Sequence, residues 1–176
     1  MIIQGLPVWY SVVLVIYSYP NSAMVLNCYF WEAIMDNSMQ LEHHNMCYAC
    51  GKKNEKGLHL AFSFFEKEKR IETTFIPSSF HQGLEGIVHG GIIVTIMDEA
   101  MAKLINSMGC VALTASLDIR FRDMAKTLEP LTISAEVTKF AKKLIFAKAV
   151  ANGGDGKVIA EADAKLIIYW ELISMK

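Results

Sequence analysis

The sequence predicts an α+β fold in which one antiparallel sheet wraps around a single long helix. Three observations carry this prediction: runs in which apolar and polar residues alternate, one apolar stretch of helical length, and the order of these segments. Two alternating runs precede the apolar stretch and four follow it, without the strand–helix alternation of a parallel nucleotide-binding sheet. At 176 residues, the chain is long enough for one domain with a sizeable core.

The first two strands are predicted in the segments LHLAFSFF and RIETTFI. In both segments the residues that share one face recur with a period of two, as in a half-buried strand. These residues are Leu58, Leu60, Phe62 and Phe64 in the first segment and Ile71, Thr73 and Phe75 in the second. The next segment, FIPSSFHQGLEGIVHGG, is predicted to be a loop because of its proline and glycines.

The helix is predicted from Gly90 to Met108, and Gly109 ends it. It is apolar on nearly all sides, so the sheet must wrap around it. Four further strands are predicted in ALTASLDIRF, PLTISAEVTKF, LIFAKAVAN and KVIAEADAKLIIYW. The glycine-rich stretch from Asn152 to Gly156 predicts a hairpin turn between the last two.

The N-terminal part differs in composition from the rest of the chain. Residues 1 to 51 contain no Lys or Arg, so all 17 positive residues lie from Lys52 onward. The apolar opening is shorter than the ~20 residues of a spanning helix and lacks the basic start of a signal peptide. We therefore expect residues 1–40 to lie outside the fold and residues 41–176 to form the domain, with a short membrane-associating tail as the alternative.

Charge argues against nucleic acid as a partner, and cysteine content indicates the cellular compartment. A formal net charge of -1, without a basic stripe interleaved with aromatics, argues against nucleic-acid binding. Four scattered cysteines do not make a disulfide scaffold and fit a reducing compartment. The expectation is a cytoplasmic protein without stable membrane insertion.

A CxxC pair, Cys47 and Cys50, is the one sequence feature that suggests a metal. A zinc site would need further ligands, for which the nearby histidines are His43, His44 and His59. A single CxxC lacks the second pair that makes zinc sites recognisable. We therefore expect no metal and no cofactor.

The segment His89-Gly90-Gly91, separated by six residues from Asp98, carries the candidate chemistry. Backbone N–H groups at a helix start can hold a carbonyl oxygen as it becomes negative, and a carboxylate can activate water or attack directly. The spacing alone leaves a plainer alternative open, with a loop histidine, a glycine turn and a carboxylate that faces solvent.

Helix geometry separates the two ends of this segment. An ideal helix places Asp98 roughly opposite His89 and about 13 Å along the axis. One chain cannot easily bring both to one substrate, whereas two antiparallel copies of the helix bring the start of each to the middle of the other. If these residues cooperate, the site is shared across a dimer. Glu99 lies about 100° further round the helix and is expected to be structural.

The histidine–glycine–glycine pattern, the acid spacing and the order of elements together resemble the hotdog-fold acyl-CoA thioesterases of the phenylacetate-degradation (PaaI-like) type. The resemblance spans roughly Leu41 to Trp170 and includes CYACGKKNEKGLHLAF, HQGLEGIVHGG and TASLDIRFRD. It implies a hotdog fold, a homodimer or homotetramer with a shared active site, and a hydrolase that converts acyl-CoA to free acid and coenzyme A. A non-catalytic acyl-CoA-binding or ligand-sensing hotdog module is the alternative.

The resemblance also implies roles for four residues. Asp98 corresponds to the general base or nucleophile, and Gly91 to the residue whose N–H binds the thioester carbonyl. His89 corresponds to the histidine that orients this end of the site, with Gly90 beside it contributing to substrate binding. Ser116, on the strand after the helix, matches a serine that assists the attacking water.

Further substrate-binding candidates flank these residues. Some relatives carry Asn or Gln where this chain has Gly83, and that polar role passes to Gln82 or His81 or is lost. Arg120 and Arg122 are candidates for the phosphates of coenzyme A because guanidinium groups suit phosphate. A solvated strand face explains the two arginines equally well.

Overall fold

The computed structural model describes residues 45–169, so the prediction for residues 1–40 lies outside the described residues. The strands and the helix follow one another in the order β1 (Ser63–Phe65), β2 (Arg70–Phe75), β3 (Gln82–Leu84), β4 (Ile87–Val88), α1 (Gly90–Ser107), β5 (Ala112–Phe121), β6 (Leu131–Ala141), β7 (Leu144–Gly153) and β8 (Val158–Ile168). Short 3-10 turns lie at Glu66–Glu68 and Ser79–His81.

Six strands form one antiparallel sheet in the order β1-β2-β6-β7-β8-β5, and α1 packs against one face of it. Small side chains line this inner face on β6, β7 and β8, namely the buried Ala135, Ala147, Ala149, Ala151, Ala160, Ala162 and Ala164. Larger buried side chains of α1 fill the space above them, namely Ile93, Ile96, Met97, Met101, Leu104 and Ile105. The predicted α+β architecture, a sheet wrapped around one long helix, is confirmed.

The four long strands after the helix lie where the alternating pattern predicts them. The predicted hairpin turn joins β7 and β8. It is closed by the Gly153 N–H, which donates to Lys157 O at 2.9 Å, and Gly156 in this turn has a φ of 80°. A positive φ of this kind favours glycine, so the local sequence was sufficient to predict this turn.

Two sequence-based predictions were wrong in detail. The first strand covers only Ser63–Phe65, because the backbone before it bonds elsewhere: Leu58 N–H donates to Tyr48 O and Leu60 N–H to Ala49 O. The segment predicted as a loop contains the β3–β4 hairpin, whose turn includes Gly86 with a φ of 73°.

Strand β5 lies at the edge of the sheet and pairs only with β8 among the described strands. Its register shifts between Thr114 and Ser116, so β5 carries a bulge at this point. Within residues 45–169, no helix combines the length and apolarity needed to cross a membrane.

Candidate active site

His89 is the N-cap of α1 and occupies one of the two glycine N–H groups predicted to bind substrate. Its Nδ1 accepts the Gly91 N–H at 2.9 Å, and its carbonyl accepts the Ile92 N–H at 2.9 Å. The described part of the chain provides no acceptor for the Gly90 N–H. In this arrangement the Gly91 N–H is occupied, and Gly90 offers the N–H that has no acceptor among the described residues.

The loop that contains the 3-10 turn Ser79–His81 holds His89 in place. The His89 N–H donates to His81 O at 2.8 Å. A Cβ built on Gly83 would lie 3.1 Å from His89 Cδ2 and 3.3 Å from His89 Cα. The lack of a side chain at Gly83 therefore lets His89 pack closely against β3.

The two residues predicted to replace a polar side chain at Gly83 are bonded within their own loop. His81 Nδ1 accepts the Ser78 N–H at 2.9 Å, and Gln82 Oε1 accepts the Gly86 N–H at 3.2 Å. Their substrate-binding role therefore stays a prediction that would require these local bonds to rearrange.

Asp98 lies half-buried in the middle of α1 and is bonded to β5. Thr114 Oγ1 donates to Asp98 Oδ1 at 2.6 Å, and the described residues provide no hydrogen-bond donor for Oδ2. One oxygen of the carboxylate is thus fixed, and the other is available to a water molecule. Sequence reasoning missed Thr114, although it lies only two positions before the predicted Ser116.

Ser116 is not on the same face of the sheet as Thr114. Directly paired residues share a face, and Thr114 pairs with the buried Leu166 whereas Ser116 pairs with the exposed Lys165. The bulge between Thr114 and Ser116 reverses the alternation, so Ser116 points away from α1. Within this chain, Thr114 and not Ser116 supports Asp98.

The geometry of α1 keeps the backbone donors at the helix start apart from Asp98 within one chain. Helix α1 begins at Gly90, which places Asp98 about 12 Å along the axis from the helix start. Gly91 and Asp98 lie on one face of α1, together with Thr95 and Ala102. All four residues are exposed or half-exposed. This line of residues, which we call the open face of α1, is only partly covered by the described chain.

The end of β5 places an aromatic ring beside the helix start, whereas Arg120, which pairs with Glu161, lies on the other face of the sheet. A Cβ on Gly90 would lie 3.2 Å from Phe121 Cζ, and Phe121 is 52% exposed. Arg122 is bonded to Glu161 through Nε and Nη2 at 2.8 and 2.7 Å. Arg120 Nε lies 3.8 Å from Asp118 Oδ1, and both side chains are largely exposed, so Arg120 is the freer cation.

Glu99, expected to be structural, contacts both thiols of the CxxC pair. Cys47 Sγ lies 3.8 Å from Glu99 Oε2, and Lys103 Nζ lies 4.0 Å from Glu99 Oε1. Burial, followed by the neighbouring Glu99 carboxylate, raises the pKa of Cys50 to about 12. Of the histidines considered as zinc ligands, His59 is exposed, and His43 and His44 lie outside the described residues.

The antiparallel sheet wrapped around one long central helix defines the class of protein as a hotdog fold. Residues 85–160 match the Thioesterase superfamily. The resemblance to PaaI-like hotdog thioesterases is therefore confirmed, and this part of the chain is similar to the Thioesterase superfamily.

Similar proteins agree with this assignment. Acyl-coenzyme A thioesterase THEM4 from Mus musculus is 31% identical over 116 residues, which cover 64% of this chain and 50% of the relative. Acyl-coenzyme A thioesterase 13 from Homo sapiens is 32% identical over 84 residues, which cover 46% of this chain and 60% of the relative. The chain spans about half the length of curated relatives such as THEM4.

A solved structure shows the same fold. The E. coli PaaI protein from the phenylacetic acid degradation operon aligns with a TM-score of 0.60 and 20% identity. The alignment covers 64% of this chain and 80% of the PaaI chain. At this identity the likeness establishes the hotdog fold.

Proposed function

We propose that this chain hydrolyses acyl-CoA thioesters to a free acid and coenzyme A. The observation that carries the proposal is the Asp98 carboxylate, fixed by Thr114 Oγ1 at 2.6 Å on the open face of the central helix. The names of the two relatives, both acyl-coenzyme A thioesterases, support the substrate class. The reaction needs no cofactor.

Asp98 acts as the general base in this proposal. Its free oxygen takes a proton from a water molecule, and the resulting hydroxide adds to the thioester carbonyl carbon. The tetrahedral intermediate then collapses, the C–S bond breaks, and the proton held by Asp98 passes to the departing thiolate. Thr114 keeps the carboxylate in position while its charge changes.

The thioester carbonyl is held at the helix start of a second chain. Backbone N–H groups there, aided by the helix dipole, stabilise the oxygen as it becomes anionic. The Gly90 N–H is available in the described chain, and the Gly91 N–H joins it when His89 Nδ1 releases it. Since about 12 Å of helix separate these donors from Asp98, the donors come from the partner in a homodimer or homotetramer.

Two partly covered features support this assembly. The outer edge of β5 has no partner strand among the described residues, and it runs beside the open face of α1. An unpaired edge of ten residues offers backbone donors and acceptors that a second copy can satisfy.

Coenzyme A lies across the end of β5 in this proposal. Phe121 beside Gly90 offers an apolar surface next to the reacting carbonyl, and Arg120, with Arg122 as a second cation, meets the phosphates. The sequence-based prediction of a cytoplasmic location is part of the same proposal.

Thiol release tests the proposed activity directly. The purified chain is offered short, medium, long and aromatic acyl-CoA substrates, and free coenzyme A is measured over time. We expect release on at least one class and its loss in Asp98→Asn. Binding of acyl-CoA without thiol release on any substrate would instead assign the chain to the non-catalytic binding modules.

A further inference from the structure

A tight turn before β1 directs two thiols towards the middle of α1. The Gly51 N–H donates to Cys47 O at 2.9 Å, and Gly51 is buried. A Cβ on Gly51 would lie 2.5 Å from Asn45 O, Cys47 N and Cys47 O, so only glycine fits this turn. The turn brings Cys47 and Cys50 together on the side that faces the helix.

The third group of this cluster is Glu99. The ligand atoms of Cys47, Cys50 and Glu99 all lie within 4.8 Å of one another, and Cys47 Sγ is 3.8 and 3.9 Å from the two carboxylate oxygens. In a tetrahedral zinc site, bonds of about 2.3 Å to sulfur and about 2.0 Å to oxygen place ligand atoms about 3.5–3.8 Å apart. The Cys47–Glu99 separations are close to those of an occupied site, and the separations that involve Cys50 are at most 4.8 Å.

We propose that Cys47, Cys50 and Glu99 bind one thiophilic divalent cation, and that the metal is zinc. Thiolate ligands favour zinc over magnesium or calcium, which prefer oxygen. The three side chains are half-buried, so a water molecule can take the fourth position.

The charges around the cluster match a divalent cation. Two thiolates and one carboxylate carry three negative charges, of which a divalent cation neutralises two. Lys103, whose Nζ lies 4.0 Å from Glu99 Oε1, neutralises the third. Glu99 is 17% exposed and Lys103 22% exposed, so this balance is set in a partly desolvated environment.

The bound cation links the loop before β1 to the central helix. Glu99 follows Asp98 in sequence but lies about 100° further round α1, so the cation does not share the open face with the thioester. The cation holds the N-terminal loop of the domain against α1. The proposal is independent of the proposed hydrolase activity.

Cobalt substitution tests the site with a spectroscopic readout. The full chain is purified under reducing conditions, stripped with a chelator and titrated with Co²⁺. We expect about one ion per chain, thiolate-to-cobalt charge-transfer absorption in the near ultraviolet, and displacement of this absorption by Zn²⁺.

Matched variants assign the ligands. Cys47→Ser, Cys50→Ser and Glu99→Gln should each weaken Co²⁺ binding by about a hundredfold or more, since loss of an outer-shell partner alone costs ten- to hundredfold. Asp98→Asn, which removes the adjacent carboxylate on the same helix, should bind Co²⁺ as the wild type does. If Glu99→Gln does not fold, the wild-type spectrum and the two serine variants decide.

Three results would overturn the proposal. One is the absence of charge-transfer absorption in the reduced wild-type chain. Another is Co²⁺ absorption that persists unchanged in both serine variants, which would indicate adventitious binding elsewhere. The third is Asp98→Asn weakening Co²⁺ binding as much as Glu99→Gln does.

Discussion

At the scale of single residues, the Asp98–Thr114 pair is the feature on which the proposed chemistry depends. The hydroxyl hydrogen bond, 2.6 Å long, restrains a carboxylate that is only half-buried. A hydrogen bond to a charged group is stronger than one between neutral groups, so it can fix the carboxylate against rotation. We expect the base and its restraint to have separable kinetic effects.

Asp98→Asn keeps the size of the side chain and removes the base. Turnover should fall by about a hundredfold or more, while KM changes far less, because a general base acts mainly in the transition state. The assay is steady-state thiol release on the best acyl-CoA substrate. Asp163→Asn, an exposed carboxylate on β8, is the control and should retain full turnover. Equal losses in both variants would contradict the role of Asp98.

Thr114→Val removes the hydroxyl and keeps the shape of the side chain. Loss of a hydrogen bond to a charged group, worth about 1.5–3 kcal/mol, should lower kcat by about 10- to 100-fold with little change in KM. Thr114→Ser should restore most of the loss. Ser116→Ala is the matched control on the other face of β5. If Ser116→Ala lowered kcat and Thr114→Val did not, the sequence-based assignment of Ser116 would be restored.

Sequence reasoning selected Asp98, His89 and the glycines but not Thr114, and the reason is the bulge in β5. Strict alternation places positions 114 and 116 on one face, and the sequence gives no signal that an extra residue separates them. The His89 cap on the Gly91 N–H was also missed, because it depends on the ring position that close packing against Gly83 sets.

At the scale of elements, the long strands follow the alternating pattern and the short ones do not. Strands β6 to β8 bury every second residue against α1 over much of their length, which is the pattern that alternation predicts, whereas β5 buries only Ala112. Strands β1, β3 and β4 have two or three residues each, too few for a periodic pattern. The irregular segment around Leu58 is set by bonds to the CxxC loop.

Gly51→Ala tests how tightly this loop is built. The added methyl group would meet three backbone atoms at 2.5 Å, and backbone atoms cannot move without opening the turn. The free energy of unfolding should fall by about 1–3 kcal/mol, measured by chemical denaturation. Gly90→Ala meets only the half-exposed Phe121 ring, at 3.2 Å, and should cost less. Equal costs would show that the loop relaxes freely.

At the scale of the whole molecule, the described chain leaves one surface only partly covered. This surface consists of the open face of α1 and the edge strand β5. It includes Asp98, and the exposed Leu113 and Phe121 lie on the same strand. The spacing of His89 and Asp98 predicts a site shared across a dimer, and the resemblance to the hotdog thioesterases implies one as well. Because Gly90 to Ser107 form a single helix, the helix start and Asp98 of one chain remain too far apart to contact the same substrate carbonyl.

The central claim is that one site combines Asp98 of one chain with the helix start of another, and mixing two inactive variants tests it most directly. Asp98→Asn lacks the base, and Gly91→Leu blocks the carbonyl site at an exposed position. Each variant alone should be nearly inactive. A mixed dimer contains one site with both lesions and one intact site.

If subunits exchange freely, about half of the dimers are mixed and each has one working site of two. Thiol release should therefore recover to about a quarter of the wild-type activity per chain. Subunit exchange is verified independently with differently tagged chains. Recovery near this level would support the shared site, and verified exchange without recovery would contradict it by placing both groups in the site of a single chain.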